Sequence, residues 1–587
     1  MSEVGRRLGT LVAVIAGCVV LTVGVAAPPE RCPTLTPSEL TAATSAAAGW
    51  LIDNQNPDGT WLYEYDRITD AASNDYNVVR HAGAMSALYQ AGNRGIAGAL
   101  ESADRGLAWA LDHTVERHEW IGVTDGDNVQ AGTNSLLIAA LVERRLATGD
   151  PAYDALMSGL ARFLTAQQEP NGSLLAYYDL EPDAPRPDTY SIYYTGEAYW
   201  ALGRMHNLEP DADWGRAADQ MGSYMAIIRD DAEDLWPPLA DHWSGYGLAE
   251  TAAFPERTAG APLTDAELSF VRRQGGMMGQ RVRSISQRFG PWGVAVRGTF
   301  TPRGGGYGVF GEGLAGLWRA SQLDDRLADE RASLGERALC IVGLAVDAQA
   351  DADAAAAYAD PTKVEGAWFI DDVTRMDDQQ HALSALLFAT PILAAGPFDT
   401  GTPSPALWVW LLAVFCTINP LRASFGIPHD QGSSRRVRLA AVGGVVGALT
   451  LLAVGALSGW LIEVGETSAP AVRLAAGSLC LLSAGMDLAR RPVVDEPTLP
   501  GWRAALMPVT APLFVRPVMV VAGLALVADH GIGAYLLALA LTAGSMVAAT
   551  ALDVGADRPG AVWMSRLMSA VGIAVSVLLI ADAVFDI

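Results

Sequence analysis

Lysine is nearly absent: of 40 basic residues in the 587-residue chain only Lys363 is one, and 65 acidic residues bring the net charge to −25. A surface of that sign repels a phosphate backbone, which excludes nucleic acid as a partner. Cysteine is scarce as well. The five, Cys18, Cys32, Cys340, Cys416 and Cys480, show none of the paired spacings that hold zinc or an iron–sulfur cluster, so the sequence assigns no metal and leaves any cofactor unknown. The third shortage is local. Charge almost disappears after Pro403, and a long stretch with so little charge belongs in lipid rather than water.

What is present there is a series of apolar runs. The first, from Leu407, is about as long as a bilayer requires, yet it is broken at Asn419 and Pro420 and carries Arg422. Six spans are expected, at about 406–427, 437–463, 470–489, 502–528, 531–552 and 562–585. Arg435, Arg436, Arg438, Arg490, Arg491, Arg503, Arg558 and Arg566 fall in alternate loops, while Glu463, Glu466 and Asp529 occupy the others. Positive loops stay inside, so the first span starts outside the cell membrane and the C-terminus ends there too.

The N-terminus agrees. A short basic head, an apolar run from Leu8 to Ala27 and small residues before Pro28 make residues 1–27 a signal sequence or a retained anchor. The stretch Ile15–Cys18 resembles a lipobox, although apolar sequence continues beyond it. Residues 28–396 are then extracytoplasmic, with a Gly/Pro linker at 397–405 and the membrane domain at 406–587. Cys32 and Cys340 are the two cysteines of the exported part, where disulfides are chemically permitted, and they are expected to pair.

Between Pro37 and Gly396, apolar residues spaced by three and four mark about twelve helices. They start near Pro37, Asn77, Ile96, Gly132, Ala152, Gly196, Asp213, His242, Asp265, Gly311, Arg331 and Gln379. Short connections make neighbours antiparallel, and six such hairpins predict a closed (α/α)6 toroid, so that the chain is all-α throughout. A weak internal repeat supports closure: Gln55, Gly59 and Trp61 recur as Gln168, Gly172 and Leu174. The first copy resembles the QxxxGxW motif of terpene cyclases and related toroids, whose role is structural. No DxDD acid motif accompanies it.

Even-numbered helices would line the central cavity, and their first turns gather polar and aromatic side chains. Catalytic candidates are Glu197, Glu312, His81, His242, His381 and Asp241; sugar-binding candidates are Tyr76, Arg80, Trp243 and Gln380. Asp377 and Asp378 read as helix caps. Carboxylates, histidines and stacking aromatics in one cavity suit carbohydrate chemistry, with one acid protonating a leaving oxygen and another group acting as base or nucleophile. The layout resembles carbohydrate-processing toroids, and it leaves hydrolase, lyase, epimerase and non-catalytic glycan binding open. The partner implied is a glycan or other envelope polymer; the oligomeric state is not readable. Residues Thr124–Asn128 form an acidic cluster that reads as a turn before it reads as a calcium loop.

Residues 406–587 resemble the MarC family of integral membrane proteins. Ile418–Leu421 in the first span, Leu506–Phe514 in the fourth and Ser565–Met568 opening the sixth carry the resemblance. The sequence departs from that family at Arg422, where a small residue is usual, and at Val515–Pro517, where the motif usually runs on into Gly-Pro. The resemblance implies a transporter-like domain in contact with membrane lipid. Each half also begins with a Pro-broken span and an arginine beside the proline, which points to an inverted repeat with a shared site. Asn419, Arg422 and Arg516 are its candidates for binding an anionic small molecule or lipid phosphate. Asp487 and Asp582 are the carboxylates that would instead make the site structural.

Overall fold

The computed structural model describes residues 30–210, 212–288, 303–398, 405–427, 432–464, 469–489, 501–554 and 558–585. Residues 1–27, Glu466, Arg490, Arg491 and most of the linker lie outside these. The chain divides into a larger unit containing Cys32–Ser286 and Phe300–Thr402, and a smaller one containing Pro403–Asp586.

The larger unit begins with α1 (Pro37–Asp53), which opens on a capping box: Thr36 accepts from the Glu39 N–H while Glu39 accepts from the Thr36 N–H. Eleven further long helices follow among the described residues: α2 (Val78–Asn93), α3 (Ala99–Asp112), α4 (Ala131–Thr148), α5 (Asp154–Gln167), α6 (Tyr194–Leu208), α7 (Trp214–Ile227), α8 (His242–Ala252), α9 (Asp265–Ser286), α10 (Gly304–Leu323), α11 (Arg331–Ala348) and α12 (Met376–Ala395). Each even-numbered helix packs on the next, and α12 packs back on α2, which closes the ring; odd-numbered helices lie outside it. The larger unit is therefore an (α/α)6 toroid. Burial follows the same rule, since a helix enclosed on every side must be apolar or internally satisfied all round. Every residue of α8 is buried, as are Ala131–Glu143 of α4.

Close approach of inner helices explains a misplaced boundary. Glycine disfavours helix by about 1 kcal/mol, so the run Gly304–Gly308 reads as loop and the tenth helix is expected near Gly311. It starts instead at Gly304, because a side chain on Gly304 would strike Trp368 and Asp378, and one on Gly308 the backbone of His381 and Ala382.

The internal repeat is longer than its motif. Gln55 donates to Ser102 O, and Gln168 to Ala217 O. Gly59 and Gly172, at φ +93° and +94°, lie against the backbone of Arg105 and Gln220. Each turn runs on into a hairpin. Strand β1 (Glu64–Asp66) pairs with β2 (Ala71–Ala72), and β6 (Tyr177–Asp179) with β7 (Ala184–Pro185). In both, a tyrosine five residues before an aspartate donates to it, Tyr65 to Asp70 and Tyr178 to Asp183. Strands β3 (Thr114–Arg117), β4 (Trp120–Asp125) and β5 (Asn128–Gln130) extend the second hairpin into a five-stranded antiparallel sheet, and β8 (Val373–Arg375) joins the first. The acidic cluster at Thr124–Asn128 is the β4–β5 turn, with Gly126 at φ +59°.

The smaller unit contains α13 (Leu407–Ile418), α14 (Pro420–Phe425), α15 (Ser433–Gly455), α16 (Ser458–Val464), α17 (Ala469–Ala489), α18 (Pro517–Ala551) and α19 (Pro559–Phe585). Five helices among the described residues are long and apolar enough to cross a membrane. The difference from six lies in α18, a 35-residue helix broken at Gly531, whose φ of 78° and ψ of 169° suit only glycine. The fourth expected span ends just before that break and the fifth starts at it. Residues 501–514, the start of the fourth span, are wound as 3₁₀ and π turns rather than α-helix.

Cys32 and Cys340 form a disulfide across 308 residues of chain, tying the segment before α1 to α11. Tryptic peptides prepared without reductant should contain Cys32 linked to Cys340. Recovery of both as alkylated free thiols would contradict the pairing.

Candidate active site

The first turns of the inner helices surround a cavity of about 570 Å³. Its walls include Arg80 of α2, Glu197 of α6, His242 and Trp243 of α8, Phe310 of α10, and Gln380 and His381 of α12. Tyr193 and Tyr194, at the start of α6, complete an aromatic rim. Glu197 reaches its position because α4 carries Gly132 opposite, where a Cβ would lie 2.6 Å from Glu197 Oε2.

Beneath the cavity sits Glu312, 1% exposed. Its Oε2 shares a 2.7 Å hydrogen bond with His381 Nδ1 and lies 4.0 Å from His242 Nε2. The two imidazole rings stand nearly perpendicular, with centroids 5.2 Å apart. Burial raises the Glu312 carboxyl above the usual carboxylate range. Burial also disfavours the His381 cation, but the Glu312 carboxylate outweighs it and holds His381 above the ordinary histidine value. His242 goes the other way, lowered by burial and then by the neighbouring His381. Glu197 is pushed up to about 8 by burial, with His381 opposing and Asp241 adding to the rise. Near neutral pH the cavity thus holds a protonated carboxyl and a neutral imidazole. Glu197 Oε2 and His242 Nε2 are buried without a hydrogen-bond partner, an arrangement that costs stability unless a ligand supplies one.

Donor atoms of His242, Glu312 and His381 all lie within 4.8 Å of one another, so a metal ion would also find ligands here. The short His381–Glu312 bond already satisfies two of the three groups as a proton-sharing pair.

Of the sequence candidates, Glu197, Glu312, His242 and His381 come together, and Arg80, Trp243 and Gln380 line the same cavity. Three do not. His81 neighbours Arg80, and adjacent helical residues point about 100° apart; its ring turns into the wall, bonded to Tyr76 OH and Gly106 O and packed on Trp109. Tyr76 follows it away from the cavity. Asp241 is fully buried, held 2.6 Å from Arg229 Nη1, and caps α8 by accepting from the Trp243 N–H. Its role is to orient the helix that carries His242.

Asp377 and Asp378 do not cap their own helix. Asp377 pairs with Arg80 at 3.2 Å, while Asp378 pairs with Arg303 and accepts from the Gly305 N–H at the start of α10. Arg303 and Arg375 line the cavity and are missed by the sequence reading. The glycine run conceals the first. The second follows the pair Asp371 and Asp372, whose left-handed φ of 48° and 64° marks a turn.

In the smaller unit the two arginines meet, but on a carboxylate. Arg422 Nε lies 3.4 Å from Asp487 Oδ1 and Arg516 Nη1 2.5 Å from Asp487 Oδ2. Asp487 thus occupies the place between them expected for an anion. Asp582 pairs instead with Arg473, which also meets Asp529. Asn419, left-handed at φ 51°, caps α14 by accepting from the Arg422 N–H and donates to Ser565 O of α19.

No family model matches any part of the chain, so the MarC resemblance stands on its motifs alone. No curated protein matches either. Among solved structures, the chain is similar to cellobiose 2-epimerase from Spirochaeta thermophila: 14% identity, TM-score 0.44, covering 61% of this chain and 96% of that one. A GH76A α-1,6-mannanase from Salegentibacter sp. matches at 11% identity and TM-score 0.39, covering 60% and 99%. A D-mannose isomerase matches at 12% and 0.38, covering 62% and 98%.

Because the Glu197 proton is held more tightly when folded, its contribution to stability is full below about pH 4.5 and is lost as pH rises through about 8. Glu197→Gln cannot ionise. Its melting temperature should gain roughly 5 °C on the native chain between those limits, measured by scanning fluorimetry in detergent. Parallel curves across the range would contradict a raised carboxyl.

Proposed function

We propose that the toroid binds a glycan in this cavity and processes it by proton transfer, with Glu197 as acid and His242 as base. The observation that carries this is the pair of buried, unpartnered atoms, Glu197 Oε2 and His242 Nε2, on the wall of one cavity. Trp243, Tyr193 and Phe310 offer faces for a sugar ring, and Arg80 and Gln380 offer donors to its hydroxyls.

Hydrolysis needs two carboxyl groups flanking the scissile bond. The other carboxyls at the site are already engaged, Glu312 by His381, Asp377 by Arg80 and Asp378 by Arg303, which favours the lyase and epimerase classes. His242 Nε2 takes the proton from a sugar carbon next to a carbonyl or carboxyl group. The electron pair moves onto that oxygen, which receives the Glu197 proton. The enol then returns its O–H proton to Glu197 as the C=O reforms. Protonation of the carbon by water on its opposite face, with His242 giving its proton to the hydroxide left behind, inverts it. Departure of the glycosidic oxygen on the next carbon, which takes the proton from His242 as a C=C bond forms, breaks the chain instead. Burial, and after it the neighbouring His381, keeps His242 neutral and so able to accept.

In the same proposal residues 1–27 direct export, residues 28–396 work on the extracytoplasmic side of the cell membrane, and residues 406–587 hold them there. With Asp487 between Arg422 and Arg516, the membrane domain reads as an anchor before a path for anions.

The test incubates full-length protein with envelope polysaccharide and reducing oligosaccharides in D₂O, following deuterium at sugar carbons and new C=C bonds by NMR. His242→Ala and Glu197→Gln should each lower the rate about 10²–10⁴-fold, and the native rate should fall above about pH 8, where Glu197 ionises. New reducing ends without either signal would replace this reaction class with hydrolysis. Unchanged rates in both variants would remove the site.

A further inference from the structure

A second cavity, of about 430 Å³, opens beside α2 and α3, where the first copy of the repeat turns. We propose that it is a second sugar-binding subsite, holding distal units of a neutral glycan whose reacting unit occupies the main cavity. The proposal rests on the carbohydrate reading of that cavity.

Three observations carry it. The lining is aromatic and uncharged-polar in the way that sugar sites are: Trp61, Tyr63, Tyr76 and Trp109 with Asn56 and Asn74. Tyr63 and Tyr76 lie 6.1 Å apart, Tyr76 and Trp109 5.7 Å, and half-buried Trp109 is held by stacking on His113 at 3.9 Å. No basic residue lines the cavity, whereas Asp75 does, which disfavours an anionic chain. Trp61, 1% exposed, has its Nε1 buried with no hydrogen-bond partner.

The two cavities are also adjoining. Arg80, in the wall of the main cavity, donates at 2.5 Å to Tyr63 OH in the wall of the second and lies over the Tyr63 ring. Asn77 of the main cavity follows Tyr76 of the second.

Finally, the repeat supplies an internal control. Both copies build the same turn, the same glycine contact and the same hairpin. Yet the second copy has Leu174 and Ala176 where the first has Trp61 and Tyr63. Trp61 packs into the wall against Gly106, but the frame does not require an aromatic at position 63, and the half-buried Tyr63 of the first copy calls for another reason. A bound sugar supplies one.

The experiment titrates full-length protein in detergent with gluco- and manno-oligosaccharides of one to six units, by calorimetry. Affinity should rise with length in the native chain, and Trp109→Ala should remove that rise, weakening the longer sugars about tenfold while leaving the shortest unchanged. Tyr63→Ala, which copies Ala176 of the second repeat and so keeps a tolerated frame, should act in the same direction. Sugars that bind without length dependence, or with a length dependence that both variants retain, would overturn the subsite and leave the main cavity standing. No binding of any sugar at any length would overturn both.

Discussion

An ionisable side chain inside a ring of packed helices has little water around it, so its neighbours decide its charge. That constraint shapes both ends of the toroid. At the C-terminal ends of the inner helices, the buried carboxylates are met: Glu143 by the buried Arg204 at 2.8 Å and Glu250 by the more exposed Arg319 at 2.8 Å, with Asn93 and Asn207 completing the two carboxylates. Removing one partner of such a pair strands the other, so these contacts hold the ring in register.

At the N-terminal ends the satisfaction is incomplete. His381 and Glu312 pair, but Glu197 and His242 each keep one buried atom free. Helix N-termini favour negative charge, yet burial outweighs that at Glu197 and keeps its proton on to about pH 8. The same fold thus makes a rigid floor from matched charges and a reactive mouth from unmatched ones. The smaller unit follows the floor's pattern, since Arg422, Arg473 and Arg516 all meet aspartates.

Much of this was legible in the sequence. Eleven of the twelve helix starts lie within a few residues of their apolar periodicity, because periodicity reports burial directly. The exception, α10, begins in glycines that pack against the neighbouring inner helix α12, a contact that no local pattern encodes. The same limit separates Arg80 from His81: both sit in the first turn of α2, and only the helix phase sends one to the cavity and the other into the wall. Asp241 looked catalytic because its partner, Arg229, is twelve residues away on a different element. Nothing local to Arg473 signals its pairing, because its carboxylates, Asp529 and Asp582, are distant in sequence.

Sugar chemistry at this site requires a sugar in the place between the protonated acid and the neutral imidazole. A cryo-electron microscopy structure of the full chain with a neutral oligosaccharide measures this directly. One sugar unit should be hydrogen-bonded to both Glu197 Oε2 and His242 Nε2, with the His381–Glu312 bond intact behind it. A sugar seated elsewhere, with these two atoms still unpartnered, would contradict that chemistry.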